Sequence, residues 1–226
     1  MTGLEAYGLN AAQNAQIEMI LRTLEVDEHA PTAVRTTAQA LDIHVADSLV
    51  ALGVEQITGA SRIADLGAGA GFPGLALAVA LPAVAVALVE SQRRKCDFLT
   101  RICAAARVEN ASVVCARAEE WRDGLASNDA VVARALAPQP VVLEYAAPLL
   151  HTGGALVDWR GRRDADEEEA ALRAAATLGL QRVEIRRVEP FEAATDRHLH
   201  VFSKVSATPE RFPRRPGMAR KRPLGR

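Results

Sequence analysis

Between Asp65 and Gly74 the chain reads Asp-Leu-Gly-Ala-Gly-Ala-Gly-Phe-Pro-Gly, with one apolar run before it and another after it. Gly67, Gly69, Gly71 and Gly74 lack side chains, so the backbone can take positive φ and pass within contact distance of a ligand. Pro73 suits the first turn of a following helix, whose free N–H groups and positive dipole end would face the same ligand. The pattern predicts a strand, a nucleotide loop and a helix. Glu90 ends a second apolar run about 20 residues beyond the glycines, where a carboxylate can accept hydrogen bonds from both hydroxyls of a ribose.

Two cofactor classes use this arrangement. Gly69-Ala-Gly-Phe-Pro-Gly74 satisfies Gly-x-Gly-x-x-Gly, so an NAD-dependent oxidoreductase is one reading. S-adenosylmethionine is the other, because its class I methyltransferases have a similar strand and loop, with an acid closing the first strand and an Asp or Glu after the second. Asp65-Leu-Gly67-Ala-Gly69 fits that second form, whereas a dinucleotide loop would place its first glycine directly at the strand end. The sequence therefore favours S-adenosylmethionine. After the third strand, Cys-Ala-Arg117-Ala118-Glu119-Glu-Trp offers a backbone amide and an acid suited to adenine, and reads equally as an acid-rich helix start.

The elements that must position these residues follow from periodicity. Apolar runs near 62–66, 84–89, 111–115, 129–133, 154–159, 181–188 and 198–204 alternate with helical segments at 74–81, 92–106, 139–150 and 165–178. This predicts an α/β, Rossmann-like fold with a mainly parallel seven-stranded sheet. No helix separates the last two strands, so the last one enters antiparallel. Amphipathic spacing predicts helices over 10–26 and 35–53, giving an N-terminal helical extension over 1–56, a Rossmann-like methyltransferase domain over 57–206 and a tail over 207–226.

The chain has 226 residues, 49% of them hydrophobic and 24% charged, enough for one α/β core with appendages. No apolar stretch reaches the roughly 18 residues of a membrane span, and Met1-Thr-Gly-Leu-Glu5 lacks the blocks of a signal peptide, so a cytoplasmic protein without membrane association is expected. Cys96, Cys103 and Cys115 show no Cys-x-x-Cys spacing, which points to free thiols rather than disulfides or a metal. The formal net charge of −1 divides into +6 over 207–226 and −7 over the rest. A basic segment on an acidic body points to a polyanionic partner, and Pro213, Pro216 and Pro223 keep it from forming a regular helix, so a flexible tail is expected. Oligomeric state is left open.

Enzymes that methylate exocyclic base amines usually carry Asn/Asp-Pro-Pro-Tyr/Phe after the fourth strand, where this chain has Val132-Ala-Arg134-Ala-Leu-Ala-Pro138. Pyrimidine-carbon methylation uses a cysteine commonly preceded by proline, and none of the three follows one. What remains is a nucleophile needing little help, such as guanine N7, whose lone pair has only to be held in line with a sulfonium methyl.

His44-Val-Ala-Asp47-Ser48-Leu49, Asp65 through Gly74, Leu88-Val-Glu90-Ser91 with Lys95 and Phe98-Leu99, Arg117-Ala-Glu119-Glu120 and Ala133-Arg134-Ala135 are similar in order and spacing to the RsmG family, also called glucose-inhibited division protein B. Gly153-Gly154 with Arg160-Gly161, Arg197-His198-Leu199 and Phe212-Pro213-Arg214-Arg215 extend the resemblance over roughly residues 10–224. It implies an S-adenosylmethionine-dependent methyltransferase of guanine N7 in 16S ribosomal RNA, acting on small-subunit ribosomal RNA or the 30S particle. A non-catalytic ribosomal RNA-binding assembly factor of the same fold is the rival outside catalysis. By position, the resemblance implies cofactor contacts at Gly67, Phe72, Ala118, Glu119 and Arg134, with Glu90 as ribose partner, and Asp65 and Gly69 of the loop are counted with the cofactor-binding residues. His44, Asp47 and Ser48 share one helical face and either border the pocket or cap the N-terminal helices against the sheet. Arg117, Arg134, Arg160 and Arg197 are candidates for guiding phosphate or an extruded base, and His44, Asp47, Arg117 and Arg197 are the catalytic candidates. The chain departs from the family's usual pattern at Ala30-Pro31-Thr32 (Asn-Leu-Thr), at Ile43 (Arg) and at Arg160 (Lys).

Overall fold

The apolar runs form strands β1 (Arg62–Leu66), β2 (Ala85–Glu90), β3 (Ala111–Cys115), β4 (Asn128–Arg134), β5 (Leu150–Arg160), β6 (Leu180–Val188) and β7 (Arg197–Lys204) in the computed structural model of the protein. It describes residues 7–34 and 36–225; residues 1–6 of the expected N-terminal extension, Arg35, and Arg226 of the tail lie outside the described residues. The strands form one sheet in the order 3-2-1-4-5-7-6. β1 pairs in parallel with β2 and β4, and β7 runs antiparallel to both β5 and β6, as the missing last helix predicts. Strand order reverses between β1 and β4, and the crevice at their carboxyl ends is where such sheets take ligands.

β5 starts four residues before its expected position and runs through Gly153 and Gly154. A Cβ on Gly154 would lie 2.7 Å from the Asp129 carbonyl oxygen, so only glycine lets β5 approach β4 where their register shifts.

Helix α1 (Ala11–Val26) starts at a capping box in which Asn10 and Gln13 bond each other's backbone N–H, at 3.0 and 2.8 Å. Its buried Ile17, Ile20, Leu21 and Leu24 share one core with Ile63, Leu75, Val86 and Phe98. The expected helix over 35–53 is instead broken. It comprises α2 (Thr37–Ala40), a π-helical stretch Leu41–Ala46, α3 (Asp47–Leu49) and a 3₁₀ stretch Val50–Gly53, followed by α4 (Glu55–Thr58). The physical reason is a wide turn: Asp47 N–H reaches back five residues to Asp42 O, which leaves Ile43 O free to accept a side chain from the sheet.

α5 (Gly74–Ala80) and α6 (Arg93–Ala106) lie on the same face as α1, and α7 (Gln139–Ala146) and α8 (Ala165–Leu178) cover the other. Residues 207–225 correct the expectation of a flexible tail. Phe212 and Ala219 are buried in the core of the α7/α8 face, Arg214 makes a two-pronged ion pair with the buried Glu144 of α7, and a short helix α9 (Met218–Lys221) forms between the prolines.

Candidate active site

β1 ends at Leu66 and the chain turns through Gly67, Gly69 and Gly71 at φ of 71°, 56° and 101°. The Gly67 and Ala68 N–H groups bond Val89 O at 2.8 and 3.1 Å, so β2 holds the loop at the carboxyl edge. Gly67 must be glycine, since a Cβ there would stand 2.6 Å from Leu136 Cδ1 in a left-handed conformation. Asp65 is buried and accepts from Gly74 N–H at 2.8 Å. The helix start that was expected to face a ligand is thus capped from inside. Burial raises the Asp65 pKa to about 7 against the opposing pull of the Gly74 N–H, and its second oxygen has no hydrogen-bond partner among the described residues. Glu90 is also buried, accepting from Gly69 N–H at 3.2 Å and Gln92 N–H at 2.8 Å. Both acids hold the loop's backbone: Asp65 lies inside the core, and Glu90 closes β2 between Val89 and Ser91, which line the first cavity described below.

Two cavities, of about 390 and 400 Å³, meet at Gly67, which lines both. The first takes in Ser91, Gln92, Arg117, Ala118, Glu119, Leu136, Tyr145 and Arg220. The second takes in His44, Asp47, Gly69, Phe72, Arg134 and Arg197. A nucleoside joined to an amino-acid tail fits this plan, with the base on the Ala118–Glu119 side and the tail passing a backbone stripped of side chains.

In that second cavity Arg134, closing β4, organises the N-terminal segment. Its Nη1 donates to Asp47 Oδ2 at 2.8 Å and to Ile43 O at 3.0 Å, the carbonyl the wide turn sets free, and its Nη2 meets His44 Nδ1 at 3.3 Å. The Trp159 indole donates to Asp47 O at 2.7 Å, and Ser48 donates to His44 O. His44 Nε2 pairs with Thr32 Oγ1 at 2.9 Å, and the ring stacks on Phe72 with centroids 4.9 Å apart. Asp47 Oδ1 and Arg197 Nε, both buried and without hydrogen-bond partners, face each other at 3.8 Å. His44 and Asp47 thus both tie the extension to the sheet and line the cavity, whereas Ser48 is fully buried and lines neither cavity.

Arg117 does not join His44, Asp47 and Arg197; it lines the first cavity. Arg160 lines neither cavity; it bonds Ala137 O at 3.0 Å and Glu167, at the start of α8, at 2.5 Å. Sequence reasoning missed Leu136, Tyr145, Thr32 and Arg220. Only Arg220 carried a signal, as a basic residue in the C-terminal run, and nothing local tells it from its neighbours.

The strand order, the glycine loop with its two acids, and the paired cavities define a class I S-adenosylmethionine-dependent methyltransferase. Among solved structures the fold is shared with fibrillarin of Aeropyrum pernix in complex with natively bound S-adenosyl-L-methionine, at TM-score 0.56, 17% identity and coverage of 70% of this chain and 73% of that one. Residues 17–200 match the GidB family, described as rRNA small subunit methyltransferase G. Ribosomal RNA small subunit methyltransferase G of Chloroflexus aggregans is 36% identical over 223 residues, 96% of this chain and 92% of that one. The same protein of Thermotoga neapolitana is 34% identical over 225 residues, covering 98% and 96%. The chain belongs to the rRNA small subunit methyltransferase G family, as the residue resemblance implied, and the NAD-dependent reading is set aside.

Proposed function

We infer that the protein transfers a methyl group from S-adenosylmethionine to N7 of a guanine in 16S ribosomal RNA, acting in the cytoplasm on the RNA or the 30S particle. The meeting of two cavities at Gly67, the first lined by Ala118 and Glu119 and the second by Asp47 and Arg197, carries this reading, because it can bring a methyl donor and its acceptor to one point. In this assignment Ala118 and Glu119 hold adenine, Glu90 shares its carboxylate between the loop and the ribose, and Gly67 and Gly69 let the tail pass. Asp65 acts through the loop it caps. When bound, the cofactor supplies an electrophilic methyl on sulfonium sulfur.

Guanine N7 already presents its lone pair, so no residue has to remove a proton. The chain has to hold the base in line and offset the positive charge that arrives with the methyl. The Asp47 carboxylate, held between Arg134 and Arg197 on the wall of the second cavity, can offset that charge through space, and the exposed part of the Arg197 guanidinium offers donors to the purine edge or a phosphate. Phe72, Arg134 and the neutral His44 form the wall that fixes Asp47. Arg117 and the exposed basic residues of 207–225 are placed to meet RNA phosphate around the rim.

The test is methyl incorporation from labelled cofactor into 30S particles and 16S RNA from a strain lacking the gene, with the product mapped as N7-methylguanine. Incorporation at guanine N7 is expected. A protein that binds the RNA and transfers nothing is an assembly factor.

A further inference from the structure

The C-terminal segment returns to the carboxyl edge of the sheet, and its bonds there are specific. Anchored by the Arg214–Glu144 pair, the chain brings Gly217 N–H to Glu119 Oε1 at 3.1 Å and Arg220 Nη2 to Leu136 O at 2.8 Å. Glu119 and Leu136 lie on different loops, after β3 and after β4, and both line the first cavity. Arg220 lines it too, beside Tyr145 of α7. Leu136 is also the side chain that packs against Gly67. One short segment thus ties together the acid on the base side, the loop over the glycine turn, and the cavity's open rim.

We propose that residues 207–225 form a built-in wall of the cofactor cavity, with Arg220 as a positioning residue for the adenosine end of the cofactor. This rests on the S-adenosylmethionine reading of that cavity. The Gly217 bond occupies one oxygen of Glu119 and sets its plane, leaving the other oxygen for an exocyclic amine. Arg220 fixes Leu136, and through it the close approach at Gly67, while its remaining guanidinium donors and flat cationic face stand at the rim where a purine edge would lie. Arg214 and Arg220 are bonded to the body, and Arg211, Arg215, Lys221 and Arg222 stay exposed.

The experiment is titration calorimetry of the full-length protein with S-adenosylhomocysteine, comparing Arg220→Met, Arg220→Lys and a chain ended after Gly217 with the parent. Arg220→Met keeps the aliphatic stem and loses the donors; affinity is expected to fall at least fivefold with the ligand-free melting temperature little changed. Arg220→Lys is expected to recover most of that loss, because one donor can still reach Leu136 O. The shortened chain keeps the Arg214 anchor and is expected to lose at least as much as Arg220→Met. In turnover, KM for the cofactor should rise while kcat at saturation holds. Affinity within twofold of the parent in Arg220→Met or in the shortened chain would overturn the proposal. Failure of the parent itself to bind would overturn the cofactor reading along with it.

Discussion

Arg134 Nη2 lies 3.3 Å from His44 Nδ1, and because a guanidinium carries only donors, the imidazole accepts at that nitrogen. The ring proton is then on Nε2, which donates to Thr32 Oγ1. Burial, and after it the Arg134 charge, lowers the His44 pKa to about 4. At neutral pH His44 is an uncharged ring of fixed tautomer that steadies Arg134 and stacks on Phe72. Both of its nitrogens are engaged, so it has none left to act as a base toward a substrate.

This arrangement makes stability depend on pH in a defined direction. The unfolded chain protonates His44 near pH 6.5, while the folded chain resists until about pH 4. The contribution of His44 is therefore full above pH 6.5 and is lost as pH falls toward 4. His44→Gln abolishes that term, so its deficit against the parent should be largest near pH 7.5 and shrink by on the order of 2 kcal/mol by pH 4. Urea unfolding at several pH values measures it; a deficit constant across the range would refute the assignment.

Glu90 has two tasks on one carboxylate, bonding Gly69 and Gln92 N–H groups while standing where a ribose partner is expected. Hydrogen bonds to a charged group are worth about 1.5–3 kcal/mol each. Glu90→Ala should therefore weaken S-adenosylhomocysteine binding by roughly tenfold to a hundredfold, and Glu90→Gln, which keeps an acceptor, by less. Calorimetry that returns parental affinity for Glu90→Ala would remove it from the site.

The sheet was legible because strand segments such as Ala130–Ala133 and Ala155–Val157 are buried on both faces and read as short unbroken apolar runs. The glycine loop was legible for a local reason as well, since positive φ leaves its mark in residue type. Two features escaped because their causes are distant in sequence. The broken helix over 37–53 has ordinary helical spacing, and what favours a wide turn there is a guanidinium from β4, 91 residues beyond Ile43. The C-terminal segment looks like a solvated tail by composition. Phe212 and the buried Glu144 that receives Arg214 fold it back, and neither pairing leaves a periodic pattern.

Gly67→Ala tests the loop directly. The substitution places a Cβ in left-handed backbone, 2.6 Å from Leu136 Cδ1, so the Leu136 side chain has to move while the backbone takes up the strain. Backbone strain of this kind costs about 1–3 kcal/mol. Thermal unfolding should show that loss, and cofactor affinity should fall further, since Gly67 is the one residue common to both cavities. Parental stability and affinity in Gly67→Ala would mean that the loop tolerates a side chain where the geometry leaves no room.

RNA attraction must come from local charge, because residues 1–206 carry −7. Arg211, Arg215, Lys221 and Arg222 are exposed, while Arg214 is neutralised by Glu144 and Arg220 is tied to Leu136. Replacing only the four exposed residues with alanine leaves the cavity wall in place, which removal of the whole segment would not. Each lost phosphate contact lowers the slope of log affinity against log salt by about 0.7–0.9. The fourfold variant should therefore bind 16S RNA more weakly at low salt, with a slope shallower by up to about 3.6, and keep its affinity for S-adenosylhomocysteine. An unchanged slope would place the phosphate contacts elsewhere on the rim, with Arg117 and Arg197 the next residues to replace.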